Sequence, residues 1–203
     1  MHDNMHENIR ENIREMEKQR AGLERLVSEL YEDESRVLVH GEGSLGARVM
    51  LIGEAPGEQE TLQRRPFVGK AGKNLDEFLS LAGIDRSQLY VSNAVKLRPT
   101  KLSAAGRVVN RPPNREEIKL FLPWLMQEIA LVAPQVIVTL GNVPLKALLG
   151  SGHTIGQCHG AWQEAAGRRL YPMYHPASLI YNPGLRQTYA ADIAALAEWL
   201  REN

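Results

Sequence analysis

Short apolar runs alternate along the chain with longer segments in which apolar residues recur every three or four positions. Runs of four to seven residues rich in Val, Ile, Leu and Tyr predict strands, and the wider spacing predicts helices. The predicted strands are Val49–Ile52, Leu89–Val95, Val136–Leu140 and Leu170–Tyr174. The predicted helices are Gly72–Ala82, Arg115–Val132, Val143–Leu149 and Gln187–Arg201. We therefore expect an α/β fold, a three-layer α/β/α sandwich around a four-stranded parallel sheet.

A long helix is predicted ahead of this alternating pattern, over residues 5 to about 31. Its narrow apolar stripe consists of Ile9, Ile13, Met16, Leu23, Leu26, Val27 and Leu30. Such a stripe packs either on the rest of the protein or on another copy of the helix. We divide the chain into an N-terminal helical extension, residues 1–34, and a single domain, residues 35–203. His2 and His6 have metal-binding spacing on a helix, but a frayed, solvated terminus is the favoured interpretation.

The composition fits one domain in a reducing compartment. With 203 residues and 43% hydrophobic content, the chain can bury one core. No apolar run approaches the ~20 residues that span a bilayer, and the charged first thirty residues contain no signal-peptide core. The single cysteine excludes an internal disulfide. We expect a cytoplasmic protein with no membrane partner; its protein partners cannot be identified from the sequence.

Charge is unevenly distributed along a chain whose formal net charge is zero. Residues 1–34 contain ten acidic and five basic side chains, so the remaining residues carry a net charge of +5. The segment from Lys96 to Arg115 has six Lys or Arg residues and no acidic residue. A local basic loop of this kind can neutralise phosphates, although a merely solvated loop is an equally good interpretation.

Polar residues follow each of the predicted strands. Gly53–Glu60 follows the first strand and contains three carboxylates, Asn93 closes the second, Gly141–Asn142 ends the third and His175 ends the fourth. Because parallel strands present their carboxyl ends to one edge of the sheet, these groups should meet at a single ligand-binding rim. Taken alone, the Gly-Pro-rich turn could also be a simple strand-to-helix connection.

Four motifs occur in a characteristic order. They are Gly53–Gly57 (Gly-Glu-Ala-Pro-Gly), Arg64–Gly69 (Arg-Arg-Pro-Phe-Val-Gly), Ser92–Lys96 (Ser-Asn-Ala-Val-Lys) and His175–Ser178 (His-Pro-Ala-Ser). Together they resemble the uracil-DNA glycosylase superfamily, most closely its family-4 branch, over roughly residues 39 to 200. The resemblance implies a DNA-repair enzyme whose substrate is uracil-containing DNA. Such an enzyme flips uracil out of the helix and hydrolyses its bond to the sugar, with water as nucleophile.

Three residues are candidates for binding and releasing the base. The Asn93 amide can accept from uracil N3–H and donate to O4, a pattern that cytosine reverses. Phe67 can stack on the flipped base, and a His175 N–H can stabilise the uracil anion at O2. The resemblance favours these roles over the alternatives, which are a strand-end cap, a core aromatic and a structural histidine.

The turn after the first strand supplies the candidates for water activation. Glu54 is expected to orient water or balance the cationic sugar, with Glu60 as a supporting catalytic contact. Ala55 is expected to contribute only its backbone to uracil binding.

A wider set of residues is expected to bind DNA. It consists of Gly53, Gly57, Lys96, Arg98, Lys101, Arg107, Arg111, Ser178 and Leu179. In the family, the loop after the histidine motif pinches phosphates and inserts an apolar wedge, for which Leu179 and Ile180 are the candidates. Burial of this loop under the C-terminal helix explains the same pattern equally well.

The resemblance fails at the iron–sulfur cluster that family-4 enzymes hold with four cysteines. Leu97 and Phe121 stand at two of the expected cysteine positions, and the only cysteine is Cys158. His153, Cys158 and His159 match no usual zinc spacing. We therefore expect no metal and no cofactor, with apolar packing in place of ligation.

The basic loop is longer than usual for family 4 and resembles that of a uracil-trapping branch. That branch captures uracil covalently with a histidine, but here Asn110 is near the corresponding place, so covalent capture is not expected. A non-catalytic DNA- or nucleotide-binding member of the superfamily is the main alternative to an enzyme. A generic nucleotide binder is disfavoured because the chain has no phosphate loop of the Gly-x-x-x-x-Gly-Lys type.

Overall fold

The computed structural model describes residues 2–31 and 36–203, with side chains from residue 9 onwards. Its helices are α1 (His2–Leu30), α2 (Glu58–Gln63), α3 (Lys70–Leu81), α4 (Arg115–Val132), α5 (Asn142–Leu149), α6 (Ile155–Cys158), α7 (Ser178–Tyr181) and α8 (Arg186–Glu202). Its strands are β1 (Glu42–Gly43), β2 (Val49–Gly53), β3 (Leu89–Asn93), β4 (Thr100–Leu102), β5 (Val108–Asn110), β6 (Val136–Leu140), β7 (Gln163–Ala165) and β8 (Arg168–Met173). Among the described helices, none combines the length and apolar character needed to cross a membrane.

The main sheet has six strands in the order β1-β3-β2-β6-β8-β7. Its four central strands are parallel, which confirms the predicted sheet. The edge strands β1 and β7 pair antiparallel with their neighbours, and the sequence did not predict them. Both are two or three residues long and only partly buried, so they lack the apolar run that identifies a central strand.

Helices cover both faces of this sheet, as the three-layer prediction requires. Val49 and Leu51 of β2 belong to a core that also contains side chains of α3 and α8. Met50 and Ile52 point to the opposite face, into a second core with side chains of α1, α4 and α5. Successive residues of a strand point to opposite faces, so a strand buried on both sides reads as a continuous apolar run.

The N-terminal helix α1 packs on the domain. Met16, Leu23 and Val27 are at most 5% exposed, and Gln19 Nε2 donates to the Trp124 carbonyl of α4 at 2.8 Å. The apolar stripe of α1 therefore packs on the rest of the protein, which is the first of the two alternatives predicted for it. The division between residues 34 and 35 remains a prediction, since residues 32–35 lie outside the described ranges, as do the side chains of His2 and His6.

The basic loop contains a two-stranded hairpin that the sequence did not predict. Strands β4 and β5 pair antiparallel, with Thr100 opposite Asn110 and Leu102 opposite Val108. The turn includes Gly106 at φ +71°, a backbone conformation that favours glycine. Leu102 is 71% exposed. The hairpin has no buried face, and this explains why its pattern gave no strand signal.

Candidate active site

A cleft of about 690 Å³ opens at the carboxyl edge of the central strands. Six of the predicted base-binding and catalytic residues line it: Glu54, Ala55, Glu60, Phe67, Asn93 and His175. The convergence follows from the parallel sheet, because β2, β3 and β8 end at the same edge. The sequence thus predicted correctly that these six residues meet, but Asn142, expected at the same rim, instead accepts from Ile155 N and is not among the residues that line the cleft.

Gly53 brings two of these side chains together. It ends β2 directly opposite Asn93, the last residue of β3. A Cβ at position 53 would collide with Asn93 Oδ1 and with the Phe67 ring. Gly53 is itself buried and belongs to the floor beneath the cleft, so the expectation that it touches DNA is wrong. Its contribution is the space that lets Asn93 and Phe67 approach each other.

Phe67 is held in a strained conformation beside the catalytic candidates. Its φ is +54°, in the left-handed region that a non-glycine residue adopts at a cost of ~1–3 kcal/mol. The loop is fixed by Arg86, whose guanidinium donates to the carbonyls of Phe67 and Pro66 at 3.1 and 2.9 Å. The Phe67 ring lies 5.9 Å from the His175 ring, centroid to centroid, with 30° between the planes. Strain concentrated at a cleft is typical of a functional site.

Glu60 lines the cleft and links two of its loops through hydrogen bonds to their backbones. One of its oxygens accepts from Gly57 N at 3.1 Å, and the other from Val68 N and Gly69 N at 3.0 and 2.7 Å. Both oxygens are therefore occupied by backbone donors that join the turn after β2 to the Phe67 loop. These contacts favour a positioning role for Glu60, and its expected catalytic role remains a prediction. Gly57 lines the same cleft, and its contact with DNA remains a prediction.

Glu54 is the carboxylate that remains available in the cleft. It is half-buried, and this burial raises the pKa of its carboxyl. No hydrogen bond from another described residue reaches its carboxylate, whereas its backbone carbonyl accepts from Val95 N at 3.0 Å. A carboxylate fixed through its backbone but open on its side chain can orient a water molecule. Ala55 lines the same wall, and its expected backbone contact with the base remains a prediction.

His175 is held in one tautomer. Ala177 N donates to its Nδ1 at 3.1 Å, so the proton of the neutral ring is on Nε2. Burial lowers the pKa of His175 to about 4, against a small opposing effect of Glu60. The ring is therefore neutral near pH 7 and offers one N–H. Gly141 is at φ +91°, a backbone conformation that favours glycine, and a Cβ added there would lie 3.1 Å from the His175 Cβ.

The structure corrects two further predicted DNA contacts, in addition to that of Gly53. Lys96 is 1% exposed and its ammonium lies 2.5 Å from Glu128, so it cannot reach a phosphate. Leu179 is 4% exposed and packs in the core with side chains of α8. Burial under the C-terminal helix was therefore the correct alternative for Leu179. Ile180 and Tyr181 instead line the cleft, with exposed fractions of 45% and 86%.

The remaining basic residues differ in their surroundings. Arg98 lies 3.5 Å from Glu58, and Arg111 binds both carboxylate oxygens of Glu117 at 2.7 Å. These ion pairs already use much of the charge that phosphate binding would need. Lys101 and Arg107 are exposed on and beside the hairpin, and they are the better phosphate candidates. Ser178 is half-buried at the start of α7, where its predicted phosphate contact remains untested.

An apolar cluster occupies the region of the two missing cysteine positions. Leu97 and Phe121 are 5% and 0% exposed, and they pack with Leu23 and Val27 of α1. No thiolate is present there, and Cys158 is buried in a different cluster. These side chains therefore do not fit an iron–sulfur cluster. In the described parts of the chain, no group of three His, Cys, Asp or Glu residues is placed to hold a metal ion.

Glu128 is the residue that the sequence interpretation missed. It is 2% exposed on α4, and it accepts from Lys96, Ser92 and Tyr90. The available signal was a lone carboxylate on the apolar face of a helix, between Leu125 and Ile129 at helical spacing. A charge in such a position requires a buried partner.

The fold and the cleft define an α/β/α protein in which an amide, an aromatic ring and a neutral imidazole line one cleft. The model of the uracil DNA glycosylase superfamily matches residues 40–201. The chain belongs to the uracil DNA glycosylase superfamily.

Curated relatives and a solved structure agree with this assignment. A type-4 uracil-DNA glycosylase of Pyrobaculum aerophilum is 38% identical over 77% of this chain and 80% of its own. A type-4 uracil-DNA glycosylase of Sulfurisphaera tokodaii is 34% identical over 79% of this chain and 73% of its own. The crystal structure of wild-type SMUG2 from Pedobacter heparinus has a TM-score of 0.55 at 14% identity, over 77% of each chain, and supports the fold.

We expect the purified protein to contain no stoichiometric iron, because apolar side chains stand where cluster thiolates would be needed. Iron analysis and the visible absorbance spectrum check this directly. Treatment with a chelator should leave the thermal midpoint unchanged. Brown protein with stoichiometric iron would contradict the packing argument.

Proposed function

We propose that this protein is a DNA-repair glycosylase that releases uracil from DNA by hydrolysing the N-glycosidic bond. The observation that carries the proposal is the joint placement of Asn93, Phe67 and His175 on one cleft. The relatives named as type-4 uracil-DNA glycosylases support the same activity. Action on a flipped nucleotide, a water nucleophile and a cytoplasmic location are parts of the proposal.

Recognition of uracil is assigned to Asn93 and Phe67. Asn93 is 3% exposed at the end of β3 and lines the cleft, so only a group that enters the cleft can reach its amide. The amide oxygen accepts from uracil N3–H and the amide nitrogen donates to O4. Cytosine presents the reverse pattern, and a bidentate contact of this kind discriminates by ~1–3 kcal/mol. Phe67 supplies the flat surface against which the base stacks.

Bond cleavage is assigned to His175 and Glu54. When the bond between N1 and C1′ breaks, its electron pair stays on the base and negative charge develops at O2. The neutral Nε2–H of His175 donates to that oxygen, and the cationic sugar is attacked by water. Glu54 orients the water and accepts its proton, which its raised pKa makes easier than for an ordinary carboxylate.

The DNA backbone is expected to pass along the hairpin side of the cleft. Lys101 and Arg107 provide exposed positive charge there, and Asn110 lies on the cleft wall. On the cleft wall, Ile180 and Tyr181 are exposed apolar side chains that can fill the space left by the flipped base.

The direct test is a labelled oligonucleotide with one uracil, incubated with the protein and then treated with alkali. Cleavage at the uracil position, with release of free uracil, is the expected result. The matched control is the same oligonucleotide with cytosine at that position, because cytosine reverses the hydrogen-bond pattern that Asn93 is proposed to read. Tight binding without cleavage at high protein concentration would instead support the non-catalytic alternative.

The reaction should lose rate in acid through protonation of Glu54. Glu54 must be ionised to accept a proton, and burial places its pKa above the ordinary value. The pKa of His175 is lowered to about 4, so protonation of His175 does not cause the loss of rate that Glu54 produces at higher pH. The single-turnover rate should therefore rise with pH through the Glu54 pKa and then level off. If the single-turnover rate of Glu54→Gln falls in acid as it does in the unmodified protein, another group is responsible for the pH dependence.

Replacement of His175 should affect the chemical step more than binding. His175→Ala should lower the single-turnover rate by roughly two to three orders of magnitude, as loss of one oxyanion donor does elsewhere. Affinity for uracil-DNA should change much less, since Asn93, Phe67 and the hairpin remain. Rate and affinity are measured on the same preparation. Weak binding with a normal rate at saturation would place His175 in binding alone.

Removal of charge from the hairpin should weaken the salt dependence of DNA binding. Lys101→Ala with Arg107→Ala removes two phosphate contacts, which lowers the slope of log K against log salt by ~1.8 for duplex DNA. Arg169→Ala with Arg201→Ala makes the same charge change at exposed sites on β8 and α8 and should leave the slope unaltered. Equal slopes in both double variants would exclude the hairpin from the DNA path.

A further inference from the structure

A buried ion pair lies directly beneath the residue proposed to read the base. Lys96 and Glu128 are 1% and 2% exposed, and their charged atoms are 2.5 Å apart. The Lys96 ammonium also donates to Ser92 Oγ and, at 2.9 Å, to the backbone carbonyl of Asn93. Ser92 and Tyr90 donate to the two Glu128 oxygens at 2.8 and 3.0 Å. The network therefore joins α4 to the last residue of β3.

Stability does not explain why this pair is buried. Removing an ion from water costs several kcal/mol, and an apolar pair of similar volume is often as stable or more stable. Burial alone raises the pKa of Glu128. The Lys96 ammonium and the three hydrogen bonds lower this pKa by more than burial raises it, so the carboxylate is ionised. Such a network is better suited to fixing geometry than to adding stability.

Asn93 needs fixing through its backbone. Its side-chain amide must stay open for a base, and no hydrogen bond from another described residue holds it. The next two amides, Ala94 N and Val95 N, are tied to the Gly53 and Glu54 carbonyls at 2.8 and 3.0 Å. The Asn93 carbonyl is bound by Lys96 on the other side of the same peptide. With both sides bound, rotation of the peptide plane is restricted, and this fixes the direction of the Asn93 Cα–Cβ bond from which the side chain starts.

We propose that the Lys96–Glu128 pair is a positioning device that orients Asn93 and thereby sets the selectivity for uracil over cytosine. This rests on the proposed function. Lys96 and Glu128 act through Asn93 and do not touch the base. The family motif at 92–96 then has a physical meaning in this chain: its lysine holds the backbone of its asparagine.

The test uses Lys96→Met with Glu128→Leu, which removes both charges and leaves neither one buried alone. Uracil excision and discrimination against cytosine are measured in single turnovers, with and without Asn93→Ala. In the Asn93 background we expect a loss of ~10- to 100-fold in rate, the scale for a misplaced contact group. In the Asn93→Ala background the same pair of substitutions should change the rate by less than about threefold, because its effect passes through Asn93. An equal loss in both backgrounds would overturn the proposal.

The matched control is His159→Leu with Asp192→Leu, which removes another part-buried hydrogen-bonded pair, His159 Nδ1 and Asp192 Oδ2, 3.0 Å apart. It should leave rate and selectivity near those of the unmodified protein.

If the Lys96–Glu128 replacement does not fold, Ser92→Ala removes one Lys96 partner without isolating a charge. It should lower selectivity by about tenfold, the lower end of the value of one hydrogen bond to a charged group, because Ser92 Oγ bonds to both Lys96 and Glu128. Unchanged selectivity in Ser92→Ala would contradict the positioning role.

A measurement without substrate separates this proposal from the proposed function. The Asn93 side-chain NH₂ should give an ordered NMR signal in the unmodified protein and a mobile one after the Lys96–Glu128 replacement. Failure of the unmodified protein to release uracil would refute the function and leave this result standing. An equally ordered Asn93 amide in both proteins would refute the positioning role even if uracil is released.

Discussion

The pairing of Gly53 with Asn93 at the ends of two parallel strands is the constraint on which the site depends. It places the turn that carries Glu54 beside the amide of Asn93, and only glycine leaves room for the Phe67 ring between them. The parallel strands β6 and β8 end at the same edge of the sheet, so His175, which follows β8, reaches the cleft from two strands away from β2. A slip of one residue in the β2–β3 register would turn Asn93 away from the cleft.

Burial has opposite consequences for the two titratable groups of the cleft. It raises the pKa of Glu54 and lowers the pKa of His175, since in both residues the charged form is the one that loses solvation. A carboxylate made more basic and an imidazole kept neutral are what water activation and anion stabilisation respectively require. Environments that push acid and base strengths in useful directions are a recurring feature of enzyme sites.

The sequence was sufficient for the central sheet, the long helices and the meeting of the site residues, because these follow from periodicity and from parallel strands. It was insufficient for Lys96, Glu60 and Leu179. A run of basic residues does not reveal which of them turns inwards, and Lys96 is neutralised by a carboxylate 32 positions away. The burial of Leu179 and the backbone contacts of Glu60 were missed because a local motif does not specify which of its side chains stabilise the loop.

The central claim is that this cleft recognises uracil through Asn93, and a crystal structure with free uracil and abasic-site DNA tests it most directly. We predict the uracil ring against the face of Phe67, its N3 and O4 hydrogen-bonded to the Asn93 amide, and its O2 within hydrogen-bonding distance of His175 Nε2. Uracil bound elsewhere, or in the cleft without contact to Asn93, would contradict the account.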